Sequence, residues 1–122
     1  MICGLMSLPD DEAQNASRLL QQRMAEIGVR LLARSQQDVE EMAQLVLRIR
    51  EGAPGAPVAL KQLAHRINGA AAALGFPALS THAGHVEGFA ATAAAGPGLS
   101  ETARAIELEI AALRKTLKSL QR

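Results

Sequence analysis

Apolar residues recur at steps of three and four along most of the chain, and the recurrence breaks where glycine and proline cluster. A period near 3.6 buries one face of a helix, so the chain can hide its apolar surface only by packing helices on helices. The breaks are Glu51-Gly52-Ala53-Pro54-Gly55-Ala56-Pro57, Gly75-Phe76-Pro77 and Gly96-Pro97-Gly98. Glycine ends helices and proline cannot continue them, so each cluster is a boundary, and short connections predict antiparallel neighbours.

Residues 1–9 show no sustained period and are expected to be a flexible N-terminus, with one helical domain over 10–122. Asp10 stands at an expected N-cap, with Asp11 and Glu12 in the first turn. A stripe then runs through Leu20, Met24, Ile27 and Leu31 and continues in phase through Ser35, Val39, Met42, Val46 and Ile49. Gly28 permits a break, which predicts a short extra N-terminal helix before a longer one; Met24 and Met42 read as core filler. The next helix carries Leu60, Leu63, Ala64, Ile67, Ala71 and Leu74 on one face, with Phe76 set to fold back over its end. Pro77 opens another helix, with Leu79, Ala83, Val86 and Ala90 inward and Phe89 beside them. The last helix, with Ser100 as its expected cap, carries Ala103, Ile106, Ile110, Leu113, Leu117 and Leu120. The expected fold is all-α, an antiparallel up-down-up-down four-helix bundle with the extra N-terminal helix.

Composition narrows the function. Thirteen Lys and Arg against 12 Asp and Glu give a net charge of +1, which argues against binding nucleic acid by neutralising phosphates. With two Phe and no Trp or Tyr there is no stacking platform for bases. No apolar run approaches a membrane span, no signal peptide is recognisable, and the single cysteine, Cys3, has no partner for a disulfide; a soluble, cytoplasmic protein is expected.

Among the motifs that carry chemistry there is no Walker loop, no His-Glu-x-x-His, no calcium loop and no nucleophile elbow. Three histidines remain. His65 lies with Lys61, Asn68, Gly69 and Ala72 on a stripe beside the apolar one, and so is expected at the surface. An exposed neutral imidazole offers a free ring lone pair, and Gly69 with Ala70, Ala71, Ala72 and Ala73 would let a partner approach closely. The same pattern also suits a plain surface histidine beside alanines chosen for helix packing. His82 and His85, three apart, share a face and with Glu87 suggest a metal site. No further ligand follows at a convincing spacing, so no metal ligand is assigned.

The segment Leu63-Ala64-His65-Arg66-Ile67-Asn68-Gly69-Ala70-Ala71-Ala72-Ala73-Leu74-Gly75-Phe76, followed by Leu79, Ala83, Val86 and Glu87, resembles the signature of histidine-containing phosphotransfer (HPt) domains. That signature is Ala-His-x-Leu-Lys-Gly, a small-residue stretch closed by Leu-Gly, then a helix bearing Leu, Ala and an apolar-Glu pair. The resemblance implies that His65 is a phosphoacceptor, taking a phosphoryl group from a receiver-domain aspartate and passing it to another. It implies a phosphoryl carrier with no kinase or hydrolase activity and no cofactor of its own, Mg2+ being expected on the partner receiver. The implied partners are response-regulator receiver domains and a hybrid histidine kinase, with no nucleic acid and no membrane, and the carrier is expected to be a monomer. Lys61, Arg66, Asn68, Gly69 and Ala72 would form the phosphate environment. Asn68 departs from the family's usual lysine and brings hydrogen bonds without charge, a loss that Lys61 and Arg66 would offset in part. The alternative is an HPt-like module that binds a kinase or receiver without being phosphorylated.

Overall fold

The computed structural model describes residues 2–96 and 98–121, with side chains from residue 11 onward. Four helices follow in order: α1 (Ile2–Arg50), α2 (Ala56–Ala73), α3 (Pro77–Ala95) and α4 (Leu99–Leu120). No strand occurs among the described residues.

Two of the sequence boundaries are built by the same device. At the end of α2, Gly75 adopts φ +81°, its N–H donates to the Ala72 carbonyl, and the Phe76 N–H donates to Ala71 at 2.8 Å. At the end of α1, Gly52 (φ +80°) donates to Ile49 and Ala53 donates to Arg48. A left-handed residue after the helix lets the next two N–H groups satisfy the last carbonyls, and glycine takes that conformation without a Cβ penalty. Phe76, half-buried against the core, folds back as its sequence position predicts.

Several boundary expectations are corrected. Gly28 lies inside α1, so the extra N-terminal helix is not a separate element, and no helix begins at Asp10 because α1 runs through it. One glycine costs about 1 kcal/mol in a helix interior, too little to break a long helix by itself. Ser100 lies in the first turn of α4 and does not cap it; Gly98 holds the cap position, with φ +75°. The side chains of the flexible end expected over residues 1–9 lie outside the described residues.

The chain divides into two compact units, residues 1–30 and 31–122. In the first, Leu19, Leu20, Met24, Ile27 and Val29 are exposed, so the early part of the α1 stripe builds no core and Met24 is not core filler. The second holds the hydrophobic core. Val39, Met42, Val46 and Ile49 of α1 are buried in it with Leu60, Leu63, Ala64, Ile67 and Ala71 of α2. Leu79, Ala83, Val86, Ala90 and Ala93 of α3 and Ala103, Ile106, Ile110, Leu113 and Leu117 of α4 complete it. These are the stripes that the periodicity picks out, except that Leu74 is half-buried and Leu120 is exposed.

Polar contacts along the seams fix which residues face one another. Gln36 donates to Gln121 at 2.6 Å, Arg114 pairs with Glu40 at 3.0 Å, and Arg50 pairs with Glu107, so later positions on α1 meet earlier ones on α4. On the α2–α3 seam His65 meets Glu87 and Asn68 meets Ser80. Ser35 is buried in the core with no hydrogen-bond partner for its hydroxyl. No described helix is long and apolar enough to cross a membrane.

Candidate functional site

His65 sits in the middle of α2, one residue past the buried Ala64, and its side chain is 74% exposed. The helical period explains both facts, since Ala64 and Ile67 point inward and leave position 65 at the solvent edge of the α2–α3 seam. Across that seam Val86 is buried in α3, and this turns Glu87 toward α2. Glu87 Oε2 lies 2.9 Å from His65 Nδ1.

A carboxylate only accepts hydrogen bonds, so in this pair Nδ1 carries the proton and donates. The neutral ring then has its lone pair on Nε2, which has no hydrogen-bond partner among the described residues. The contact therefore selects the tautomer of the neutral ring, fixes the ring plane and turns Nε2 to solvent. Glu87 is three-quarters shielded, so its hold on the ring is less screened than a fully exposed pair would be.

An open hollow of about 800 Å³ adjoins the ring, lined by Lys61, His65, Arg66 and Glu87 with Glu41 from α1 and Val58. Lys61 and Arg66 line this hollow beside the imidazole. Arg66 also borders a second hollow with Arg34 and Asp38 of α1. Burial raises the Asp38 carboxyl above its ordinary range, and the positive charges of Arg34 and Arg66 partly oppose that rise. The charge of Arg66 is therefore shared between the His65 hollow and a nearly buried acid.

Asn68 does not face the hollow. It is half-buried, its Oδ1 accepts a hydrogen bond from Ser80 Oγ, and its amide lies over Gly84, where a Cβ would stand 3.4 Å from Asn68 Nδ2. It is a seam residue and brings no charge to the ring. Gly69 and Ala72 are exposed on the turns after His65, and a Cβ at Gly69 would meet nothing within 4 Å. This small-residue stretch is open to solvent. The sequence groups Glu87 with His82 and His85 and within the apolar-Glu pair Val86-Glu87, and nothing in it pairs Glu87 with His65; Ser80 and Gly84 carry no sequence signal.

The other two histidines face the opposite seam. His82 Nδ1 lies 2.8 Å from Glu109 Oε2, and His85 Nδ1 lies 3.1 Å from Glu109 Oε1, Glu109 coming from α4. Glu87 does not join them, since it is held by His65.

A family model described as the Hpt domain matches residues 26–116, well over half of the chain. No curated protein and no solved structure matches significantly. The matched span takes in the later part of α1, all of α2 with His65, all of α3 with Glu87, and most of α4. With that match over more than half of its length, and with His65 and Glu87 inside the matched span, the chain belongs to the Hpt domain family, whose members serve histidine phosphotransfer in two-component systems.

Proposed function

We propose that His65 Nε2 accepts a phosphoryl group from the aspartyl phosphate of one receiver domain and relays it to the aspartate of another. In the first step the acyl phosphate P–O bond breaks, the N–P bond forms with the Nε2 lone pair, and the receiver carboxylate leaves. No proton needs to move, because Nε2 is already bare. The ring gains positive charge as the bond forms, and the Glu87 carboxylate beside Nδ1–H stabilises it. The reverse sequence delivers the group to the second receiver. The observation that carries this reading is the 2.9 Å contact between His65 Nδ1 and Glu87 Oε2 on an otherwise exposed ring.

The domain is a phosphoryl carrier without kinase or hydrolase activity of its own. It supplies the nucleophile and the platform, while Mg2+ and the acidic pocket belong to the receiver. Gly69 and Ala72 leave room for the receiver, and Lys61 with Arg66 supplies positive charge at the edge of the hollow. The opposite order of paired positions on α1 and α4 supports an antiparallel up-down-up-down bundle, with the α2–α3 seam as the docking edge. The carrier works in the cytoplasm, as a monomer, with receiver domains and a hybrid histidine kinase as partners.

Incubating the chain with a phosphorylated receiver tests the proposal. The expected result is a label that is acid-labile, base-stable and absent from His65→Gln. Tight receiver binding with no label on the native chain would overturn it and favour a module that binds receivers unphosphorylated.

A further inference from the structure

Two imidazoles from one helix converge on one carboxylate from another at the α3–α4 seam. His82 and His85 are one turn apart on α3, their side chains 30% and 53% exposed, and Glu109 of α4 is 20% exposed between them. Among the described residues no lysine or arginine pairs with Glu109; its partners are the two Nδ1 atoms. A bound cation would set a fixed positive charge against this shielded carboxylate.

We propose that His82 Nδ1, His85 Nδ1 and a Glu109 carboxylate oxygen form a three-ligand site for a zinc-type divalent transition-metal ion. One ring nitrogen from each histidine and a carboxylate oxygen of Glu109 lie within 4.8 Å of one another. Ligands about 2.0–2.1 Å from a tetrahedral ion stand about 3.3 Å apart; the two histidines reach different Glu109 oxygens, at 2.8 and 3.1 Å, so with either oxygen as ligand one contact opens by a few tenths of an ångström and the other ligand separations adjust from within 4.8 Å. Two nitrogens and one carboxylate suit zinc and its neighbours in the first transition row, whereas magnesium and calcium favour oxygen alone. Each ring binds in its neutral form through the Nδ1 lone pair, its proton passing through solvent to Nε2. Three protein ligands leave one position for water on the solvent side.

Such an ion ties α3 to α4. It leaves the His65 site intact, because Glu87 on the other side of α3 takes no part. Calorimetric titration of the chelator-treated full chain with zinc chloride, with magnesium chloride as comparison, tests the site. The expected result is one equivalent of saturable zinc binding, no magnesium binding, and a thermal midpoint that rises with zinc. His65→Ala is expected to keep that equivalent, whereas His85→Ala and Glu109→Gln are each expected to weaken it about tenfold or more. His85 is the most exposed of the three ligands, and circular dichroism checks that its variant is folded. Absence of saturable zinc binding overturns the site, as does binding that His85→Ala and Glu109→Gln leave undiminished.

Discussion

Glu87 on α3 holds the ring of His65 on α2 from the side, through Nδ1, and leaves Nε2 open to solvent. One hydrogen bond thus sets the tautomer, the orientation and the charge balance of the ring. Glu87→Ala is expected to slow phosphoryl transfer from a receiver about ten- to a hundredfold, the size of loss seen when a carboxylate that orients a metal-bound imidazole is removed. Glu87→Gln keeps an oxygen that accepts from Nδ1–H and loses the charge, so its rate should fall between the two. Single-turnover labelling kinetics measure both; equal rates for Glu87→Ala and the native chain would remove Glu87 from the site.

Gly69 lies one turn after His65 and has open space where a Cβ would stand. Gly69→Leu is therefore expected to stabilise α2 by about 1 kcal/mol through helix propensity while slowing transfer, because the side chain fills the receiver's approach. Thermal melting and labelling should move in opposite directions. A variant that is more stable and equally fast would show that the receiver does not use this platform.

Asn68 is bonded to Ser80 and brings no charge to the ring. Asn68→Lys is expected to speed transfer by up to about fivefold, the worth of one exposed ion pair near 1 kcal/mol. It should also destabilise the fold by about 1 kcal/mol through loss of the Ser80 bond. Comparing initial labelling rates at low and high salt checks the first part, since a gain due to charge shrinks as salt rises.

Asp38 gives the fold a pH dependence of known sign. Burial raises its carboxyl pKa more than Arg34 and Arg66 lower it, so the folded chain holds this proton to higher pH than the unfolded chain does. Stability then falls as pH rises from the ordinary carboxylate range through the raised value, and stays lowered at neutral pH. Asp38→Asn is expected to melt at a higher temperature than the native chain at about pH 7, and the gap should close by about pH 3, below the ordinary carboxylate value. A gap of unchanged size at both values would place the effect in packing instead of ionisation.

The parts of this molecule that depend on one helix at a time are legible in its sequence. The stripe from Leu60 to Ala71, the turn at Gly75 and the exposure of His65 follow from period and turn chemistry alone. What crosses a seam is not legible. Glu87 lies 22 positions from His65 and Glu109 lies 24 from His85, so neither pairing has a local period. The resemblance to the family signature puts Asn68 in the phosphate environment, yet Ser80 and the bare Cα of Gly84 draw it to the seam. Leu20, Met24 and Ile27 continue a buried stripe in phase and are nevertheless exposed, because a period states which face is apolar and not how far the core extends.

The inner face of α3 is mostly alanine: Ala83, Ala90 and Ala93 are buried alongside Leu79 and Val86. Alanine has almost nothing to lose by truncation, while a larger side chain at any of these positions must push α3 away from its neighbours. The helix that carries Glu87 therefore tolerates change in one direction only. In a random mutational library its inner face should shed variants mainly through overpacking, whereas the leucine- and isoleucine-rich face of α4 should shed them through cavities.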